Sequence, residues 1–365
     1  MRILIAPDKF KGSLGAVEVG ERIAAGLRAA LPGAEIEVTP IADGGEGTAA
    51  AILRSADGEW ITCGASDALG RPLQARYVFL EQQRLAAIDM SAAAGMSLLS
   101  SDELNPLVAS TFGVGQMFLH AATLSVREVI VGLGGSATND GGSGLARALG
   151  YRFLDRDGSD LPNEVPALLD LAQISSPNEL SLPSVVAACD VENPLLGPAG
   201  ATNVFGRQKG AGREDLELLE RALTRLADVA AQTFGRDARE KPGAGAAGGL
   251  GFGLMTFCNA TVRSGFEVVA EAIDLRSKIA RADLVITGEG KLDRQTLAGK
   301  GPAGVARLAR ELRRPVYAIV GRASEEAEVR RLFEDVLTVD DSSPSYRDTA
   351  QLLEDRGREL ALRLH

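Results

Sequence analysis

The chain opens with Ile3-Leu4-Ile5-Ala6-Pro7-Asp8, an apolar run that stops abruptly at a proline and an aspartate. A short run without polar interruptions is typical of a strand buried on both faces, as in a parallel sheet. Apolar residues then recur at near-helical spacing from Val17 to Leu31. The order strand, loop and helix predicts the first unit of an α/β fold.

The same order of elements returns further along the chain. A second apolar run, Ile36 to Ile41, ends in a glycine-rich loop at residues 42–48, and residues 49–55 then favour a helix. Residues 60–80 differ, because short polar and apolar alternations around a Gly-Arg-Pro turn predict antiparallel strands. Further strand candidates lie at residues 129–131, 185–188, 284–287, 316–320 and 336–339.

These patterns predict an α/β protein of two domains. Residues 1–57 and 270–365 are expected to form a discontinuous first domain with a parallel sheet, and residues 58–269 a second α/β domain inserted into it. The length of 365 residues, with 42 glycines and 45% hydrophobic residues, favours two hydrophobic cores over one.

Composition argues against several classes of protein. No window reaches the ~18 uninterrupted apolar residues of a membrane span, and the apolar start is too short for a signal peptide. We therefore expect a cytoplasmic protein with no membrane partner. Three separated cysteines (Cys63, Cys189 and Cys258) give no disulfide framework. A net charge of −10 without a dense basic run argues against a nucleic-acid partner. The sequence predicts no particular oligomeric state.

Histidine is scarce, since the chain has only His120 and the terminal His365. Two distant histidines exclude a His-clustered metal site and argue against Ser-His-Asp hydrolysis. Proton transfer must then rely on carboxylates or lysines.

Three loops that follow predicted strands of the first domain share one chemical mixture. Residues 8–13, 43–48 and 288–293 each combine glycine with carboxylates, and the first and third add lysine. Ligands of open parallel sheets bind at the carboxyl ends of the strands, so we expect these loops on one edge of that domain. Glycine amides can approach an anion, lysines neutralise it, and carboxylates hold Mg²⁺ or accept a proton, which fits phosphoryl transfer. Each loop alone also fits ordinary turn and helix-cap chemistry.

The inserted domain supplies further candidates. Residues 132–142 follow an apolar run and look like a phosphate cradle without the lysine of a Walker A loop; close strand–helix packing is the alternative. Asp190 ends a predicted strand and is a candidate general base, or the first residue of an Asx turn before Pro194. A G-x-G-x-x-G match at residues 243–248 does not follow a convincing strand and is weak evidence for a dinucleotide site.

Several segments together resemble the bacterial glycerate kinase family, in the family's order and over most of the chain. They lie at residues 6–8, 11–14, 42–48, 134–142, 189–195 and 286–290. The resemblance implies ATP-dependent phosphorylation of glycerate, with the 2-hydroxyl favoured, and it implies Mg²⁺. It also implies that one of the two α/β domains is flavodoxin-like or Rossmann-like.

The resemblance and the loop chemistry together suggest catalytic roles. Asp190 is the first choice for the base that orients or deprotonates the glycerate hydroxyl, Lys11 would neutralise the transferring phosphoryl group, and Asp8 is a further catalytic candidate. If Asp190 only shapes a turn, the base is to be sought among Asp8, Asp43, Glu46, Glu289 and Asp293.

Binding roles follow in the same way. Asp43, Glu46 or Glu289 would hold Mg²⁺. One of Lys9, Lys11 and Lys209 is expected to face the carboxylate of glycerate. The loop at residues 134–142 would line the nucleotide or the substrate side. The candidates for binding ATP are Gly134, Gly135, Ser136, Thr138, Asn139, Gly288, Gly290 and Lys291.

The sequence departs from the family pattern at some positions. Lys291 stands where arginine is usual, which keeps the charge but loses bidentate phosphate recognition. Asp89 stands where glutamate is usual, which affects the geometry of the substrate loops.

Other functions remain as alternatives. Transfer to the 3-hydroxyl is one, because the two hydroxyls occupy adjacent carbons. A dinucleotide-dependent oxidoreductase would need G-x-G-x-x-G directly after the first strand, where the chain instead has Ala6-Pro7-Asp8-Lys9. A non-enzymatic sugar-acid sensor would not need carboxylates beside lysines.

Overall fold

The computed structural model describes residues 1–10, 12–293, 301–324, 327–339 and 346–364. The chain divides into two compact units. Unit 1 comprises Met1–Asp43, Ala50–Asp57 and Gly265–His365, and unit 2 comprises Gly44–Ala49 and Gly58–Ser264. The domain boundaries predicted after residues 57 and 269 lie close to these divisions.

Strands and helices alternate along most of the described chain. The strands are β1 (Arg2–Pro7), β2 (Glu35–Val38), β3 (Glu59–Ser66), β4 (Pro72–Leu80), β5 (Leu85–Asp89), β6 (Glu128–Gly132), β7 (Arg152–Leu154), β8 (Gln173–Ser175), β9 (Ser184–Ala188), β10 (Thr261–Arg263), β11 (Leu284–Gly288), β12 (Lys291–Leu292), β13 (Val316–Val320), β14 (Arg322–Ala323) and β15 (Val336–Thr338). The α-helices are α1 (Ala16–Ala30), α2 (Thr48–Ser55), α3 (Ser91–Ala94), α4 (Phe112–Thr123), α5 (Ser143–Ala148), α6 (Ala201–Phe205), α7 (Arg213–Phe234), α8 (Ala246–Phe257), α9 (Gly265–Ala272), α10 (Leu275–Arg281), α11 (Gly301–Glu311), α12 (Ala327–Arg330) and α13 (Tyr346–Arg363). Short 3-10 helices lie at Met96–Leu98, Val165–Asp170 and Arg207–Lys209.

Unit 1 contains a parallel five-stranded sheet in the order β15-β13-β11-β1-β2. Residues 3–7 of β1 are all buried, the pattern of a strand covered on both faces. Pro7 pairs with Gly288, and the amide of Asp8 donates to the carbonyl of Gly288 at 2.8 Å. The loops that follow β1 and β11 therefore leave the sheet at the same edge.

Unit 2 contains a six-stranded sheet in the order β10-β9-β6-β5-β4-β3. The first four are parallel, and β3 and β4 are antiparallel, as the pattern of residues 60–80 predicts. Gly132 pairs with Asp89 on one side and with Ala188 on the other. The carboxyl ends of β5, β6 and β9 therefore share one edge, where Asp89, the glycine-rich loop after Gly132 and Asp190 lie.

The α/β class with parallel sheets is confirmed. The strand candidates at residues 129–131, 185–188, 284–287, 316–320 and 336–339 are found as β6, β9, β11, β13 and β15. The predicted first domain includes residues 44–49, whereas Gly44–Ala49 group with unit 2. No helix in the described part of the chain is long and apolar enough to cross a membrane.

Helices α1 and α13 of unit 1 pack through two glycines. A Cβ atom on Gly26 would lie 1.9 Å from the carbonyl oxygen of Glu354, and one on Gly357 would lie 2.5 Å from that of Ile23. Both obstacles are backbone atoms, so the two helix backbones touch where only glycine fits.

We expect Gly26→Ala to lower the melting temperature by several degrees. Alanine improves helix propensity by about 1 kcal/mol, but overpacking against a fixed carbonyl costs about 1–3 kcal/mol, and the Cβ position here is far inside contact distance. Gly33→Ala is the matched control, since nothing lies within 4 Å of its Cβ position. Thermal denaturation of both variants measures the difference, and equal melting temperatures would contradict the helix contact.

Candidate functional site

Asp8 and Asp43 of unit 1 are both linked to Lys9. Asp8 is 7% exposed, and its Oδ1 accepts the amide of Lys9 at 2.7 Å. The ammonium of Lys9 lies 3.4 Å from Oδ1 of Asp43. A Cβ on Gly301 would lie 3.0 Å from Oδ2 of Asp8, so that carboxylate faces the N-terminus of α11. Lys11 lies outside the described residues.

The loop after β11 is held mainly through its backbone. A Cβ on Gly288 would lie 2.1 Å from the carbonyl oxygen of Ile319, so close approach to β13 explains this glycine. The carbonyls of Glu289 and Gly290 accept the amides of residues 321 and 322, each at 3.0 Å. Lys291 is 71% exposed and pairs with Asp293 at 2.9 Å. Binding of ATP by Gly288, Gly290 and Lys291 stays a prediction.

In unit 2, Asp89 organises the loop that carries Glu46. Its two carboxylate oxygens accept the amides of Gly47 and Ala49 at 3.0 and 3.1 Å, at the start of α2. These bonds are the physical reason that residues 44–49 belong with unit 2. The sequence analysis treats Asp89 only as a departure that affects the geometry of the substrate loops; a carboxylate at the end of a buried strand is the signal that could have shown that it binds these amides.

The glycine-rich loop after β6 packs against this same segment. A Cβ on Gly134 would lie 2.4 Å from Cα of Gly45, so glycine is required. Gly135 has a φ of +70°, and a Cβ there would lie 3.3 Å from Oε2 of Glu46. The exposed carboxylate of Glu46 and the exposed Gly135 are therefore neighbours.

The remaining residues of this loop that are candidates for binding ATP are buried. Thr138 and Asn139 are completely buried, and Nδ2 of Asn139 donates to Oγ1 of Thr202 at 3.0 Å. Ser136 is 6% exposed. The accessible part of the loop is thus its first turn, while residues 138 and 139 support it from beneath.

Lys209 lies in this support. Its side chain is 1% exposed, and its ammonium donates to Oγ of Ser136 at 2.8 Å and to the carbonyl of Thr138 at 2.6 Å. Burial lowers the pKa of Lys209 to about 7, opposed by the negative charge of Asp140. From sequence, Lys209 is one of three lysines that could face a substrate, and nothing in its neighbourhood signals complete burial.

Asp140 fixes the second half of the loop. Its carboxylate accepts the amide and hydroxyl of Thr111, both at 2.8 Å, and the amides of Gly142 and Gly144 at 3.0 and 3.1 Å. Burial raises the pKa of Asp140, while these donors lower it. The sequence analysis gave this residue no separate role; the run Asp-Gly-Gly could have signalled a carboxylate that binds local amides.

The segment matching G-x-G-x-x-G packs beneath the same loop. Ala247, Gly248 and Gly249 all have left-handed backbone angles within α8. A Cβ on Gly248 would lie 1.9 Å from the carbonyl oxygen of Thr138, and the amide of Gly141 donates to the carbonyl of Gly248 at 3.0 Å. Backbone packing therefore accounts for these glycines.

Asp190 follows β9 at the same edge of the unit 2 sheet. Its Oδ1 accepts the hydroxyl of Ser264 at 3.0 Å. The amide of Cys189 donates to the carbonyl of Arg263 at 3.0 Å, which continues the pairing of β9 with β10. Asp190 as a whole is partly exposed, and its Oδ2 atom is buried.

The carboxylates predicted to bind Mg²⁺ are distributed over both units. Asp43 and Glu289 belong to unit 1 and Glu46 to unit 2. Within the described ranges, no group of three or more His, Cys, Asp or Glu side chains is arranged to hold a metal. Mg²⁺ that arrives with a nucleotide commonly takes only one or two carboxylates beside the phosphates, so accessible single carboxylates of this kind fit it.

Comparison with known proteins adds an independent line. The model of the glycerate kinase family matches residues 3–364. A Bacillus subtilis (strain 168) protein named glycerate kinase is 43% identical over 330 residues, covering 90% of this chain and 86% of that relative. An Escherichia coli (strain K12) protein named glycerate 2-kinase is 38% identical over 332 residues, covering 90% and 87%.

A solved structure shows the same fold. The crystal structure of a candidate glycerate kinase 2 from Salmonella typhimurium LT2 matches with a TM-score of 0.89 and 38% identity. The match covers 100% of this chain and 98% of that one.

We expect Asp140→Asn to destabilise unit 2 by about 1–3 kcal/mol, because an amide nitrogen would replace an acceptor that faces backbone donors. Oδ2 receives three of the four bonds, so the asparagine oxygen should occupy that position and the amide of Gly142 should lose its partner. Asp102→Asn, on an exposed turn, is the control. Urea denaturation of the two variants measures the cost, and indistinguishable midpoints would show that the bonds do not support the loop.

Proposed function

The chain belongs to the glycerate kinase family, and we propose that it transfers the γ-phosphoryl group of ATP to the 2-hydroxyl of D-glycerate, giving 2-phosphoglycerate and ADP. The observation that carries this proposal is the convergence of Asp89, the glycine-rich loop and Asp190 at the carboxyl ends of three neighbouring parallel strands. That edge is where open α/β sheets bind ligands. The three cysteines are free and buried, which fits the reducing cytoplasm that we propose as its location.

Asp190 is the proposed base. The 2-hydroxyl oxygen of glycerate attacks the γ-phosphorus, its proton passes to the carboxylate of Asp190, and ADP leaves with the electrons of the broken P–O bond. The hydroxyl of Ser264 donates to Oδ1 of Asp190 and holds that oxygen in place. Asp8, whose oxygens face the amide of Lys9 and the N-terminus of α11, is the weaker candidate for this role.

Charge neutralisation is the other requirement of phosphoryl transfer. Lys11 is proposed to neutralise the transferring oxygens, and Gly288, Gly290 and Lys291 to contact ATP. Asp43, Glu46 or Glu289 would hold Mg²⁺, which when bound neutralises phosphate charge.

The direct test mixes the protein with ATP, Mg²⁺ and D-glycerate and measures ADP. We expect ADP to form well above a control without glycerate, and a ³¹P NMR spectrum of the product to show 2-phosphoglycerate. A spectrum of 3-phosphoglycerate would show that the 3-hydroxyl, and not the 2-hydroxyl, is the acceptor. Absence of ADP above the control would refute the kinase activity.

Asp190→Asn is expected to lower kcat about 10²- to 10⁴-fold, the usual contribution of a general base. The change keeps the size and one acceptor, so the melting temperature should stay close to that of the unchanged protein. Asp157→Asn, the same substitution on an exposed turn, should leave kcat unaltered. Near-native turnover of Asp190→Asn would assign Asp190 to loop shape and redirect the search to Asp8 and the other carboxylates.

A further inference from the structure

The glycine-rich loop of unit 2 rests on a buried positive charge. Both hydrogen-bond partners of the Lys209 ammonium, Oγ of Ser136 and the carbonyl of Thr138, are neutral oxygen atoms. The charge of Asp140 acts on the Lys209 ammonium electrostatically, without a hydrogen bond between the two side chains. A buried ammonium whose contacts are neutral gains from any anion that binds nearby.

The bond from Lys209 also orients the hydroxyl of Ser136. Because Oγ accepts from the ammonium, its own proton must point to a different acceptor. No side chain or carbonyl in the described part of the chain accepts that proton. The Ser136 hydroxyl can therefore donate its proton in a hydrogen bond to a bound ligand.

Three consecutive backbone N–H groups lie beside this hydroxyl in the chain and are further hydrogen-bond donors. In the ranges that the structure describes, the N–H groups of Gly134, Gly135 and Ser136 donate to no backbone or side-chain oxygen, whereas the next amide, of Ala137, donates to the carbonyl of Ala94 at 2.9 Å. Gly135 is left-handed, with φ of +70°. Successive amides around a left-handed residue form a concavity that binds anions.

The position of Asp190 identifies the anion. Gly132 pairs with Ala188, and the amide of Leu133 donates to the carbonyl of Ala188 at 3.2 Å. Gly134 and Asp190 each lie two residues beyond that pair, on adjacent strands. In glycerate the carboxylate carbon is bonded directly to the carbon that bears the 2-hydroxyl, so an anion site beside the base suits the acceptor's own carboxylate.

We propose that residues 134–136, with Lys209 behind them, hold the carboxylate of glycerate rather than a phosphate of ATP. The inference rests on the proposed function, and it changes the role of this loop from nucleotide binding to acceptor binding. Ser136 and the amides touch the substrate, and Lys209 is a positioning residue that acts through Ser136.

The charge of Lys209 makes the site responsive to pH. Asp140 in the loop is the charged group whose field acts on Lys209, and Arg207 lies on the same 3-10 helix. Burial holds the pKa of Lys209 at about 7, and an adjacent carboxylate raises it, so glycerate binding should take up a proton when the pH is above 7.

The first experiment separates the two substrates. We expect Ser136→Ala to raise KM for D-glycerate about 10- to 100-fold, the usual effect of losing a hydrogen bond to a charged group, with KM for ATP unchanged. Ser143→Ala, on a buried serine just past the same glycine-rich stretch, is the matched control and should change neither constant. A raised KM for ATP with an unchanged KM for glycerate would overturn the proposal.

The second experiment measures binding without turnover. Isothermal titration of the full chain with D-glycerate, in buffers of different ionisation enthalpy at pH 8, should show proton uptake that disappears in Lys209→Met. Circular dichroism confirms folding of that variant, and if it is unfolded, Ser136→Ala serves instead and should bind at least tenfold more weakly. Equal glycerate affinity in Ser136→Ala and the unchanged protein would exclude the site, whatever the outcome of the ADP assay.

Discussion

The candidate site of unit 2 depends on a contact between two backbone segments. The loop after β6 and the first turns of α8 approach so closely that side chains are excluded on both sides: a Cβ on Gly142 would lie 2.7 Å from Cα of Gly253, and one on Gly249 would lie 2.8 Å from Cα of Gly141. Overlap with backbone atoms cannot be relieved by rotating a side chain. The shape of the loop, and hence the direction of its amides, follows from this contact.

Two buried charged side chains supply hydrogen bonds to the backbone of the glycine-rich loop. A glycine-rich turn leaves backbone amides and carbonyls that need hydrogen-bond partners. The negative carboxylate of Asp140 accepts from two amides of the loop, and the positive ammonium of Lys209 donates to one of its carbonyls. Both charges are buried, and the main partners of each are neutral dipoles. The loop is therefore rigid and electrically polarised before any ligand arrives, which is the condition for binding without large reorganisation.

Much of this arrangement could be read from the sequence. The apolar runs that end at Asp8 and before Asp190 predicted buried strands with polar ends, and the rule for parallel sheets predicted that each of these ends lies at the carboxyl edge of its own sheet. What the sequence could not show was which side chains turn inward. Lys209 and Thr138 look like surface residues in the chain, because burial of a polar group depends on partners distant in sequence. Glu46 follows a strand of unit 1, yet its loop is held by Asp89, a partner that local patterns do not reveal.

The strand order of unit 1 has a consequence for how the protein is made. β1 is synthesised first but pairs on one side with β11, whose paired residues lie 281 positions later in the chain. The long segment Gly58–Ser264 leaves the ribosome as an unbroken stretch while β1 still lacks this neighbour. Domains fold as units during synthesis, and pairings distant in sequence form slowly. Unit 2 should therefore fold first. The pairing of β1 with β11, which completes the five-stranded sheet of unit 1, should be the last and slowest event of folding.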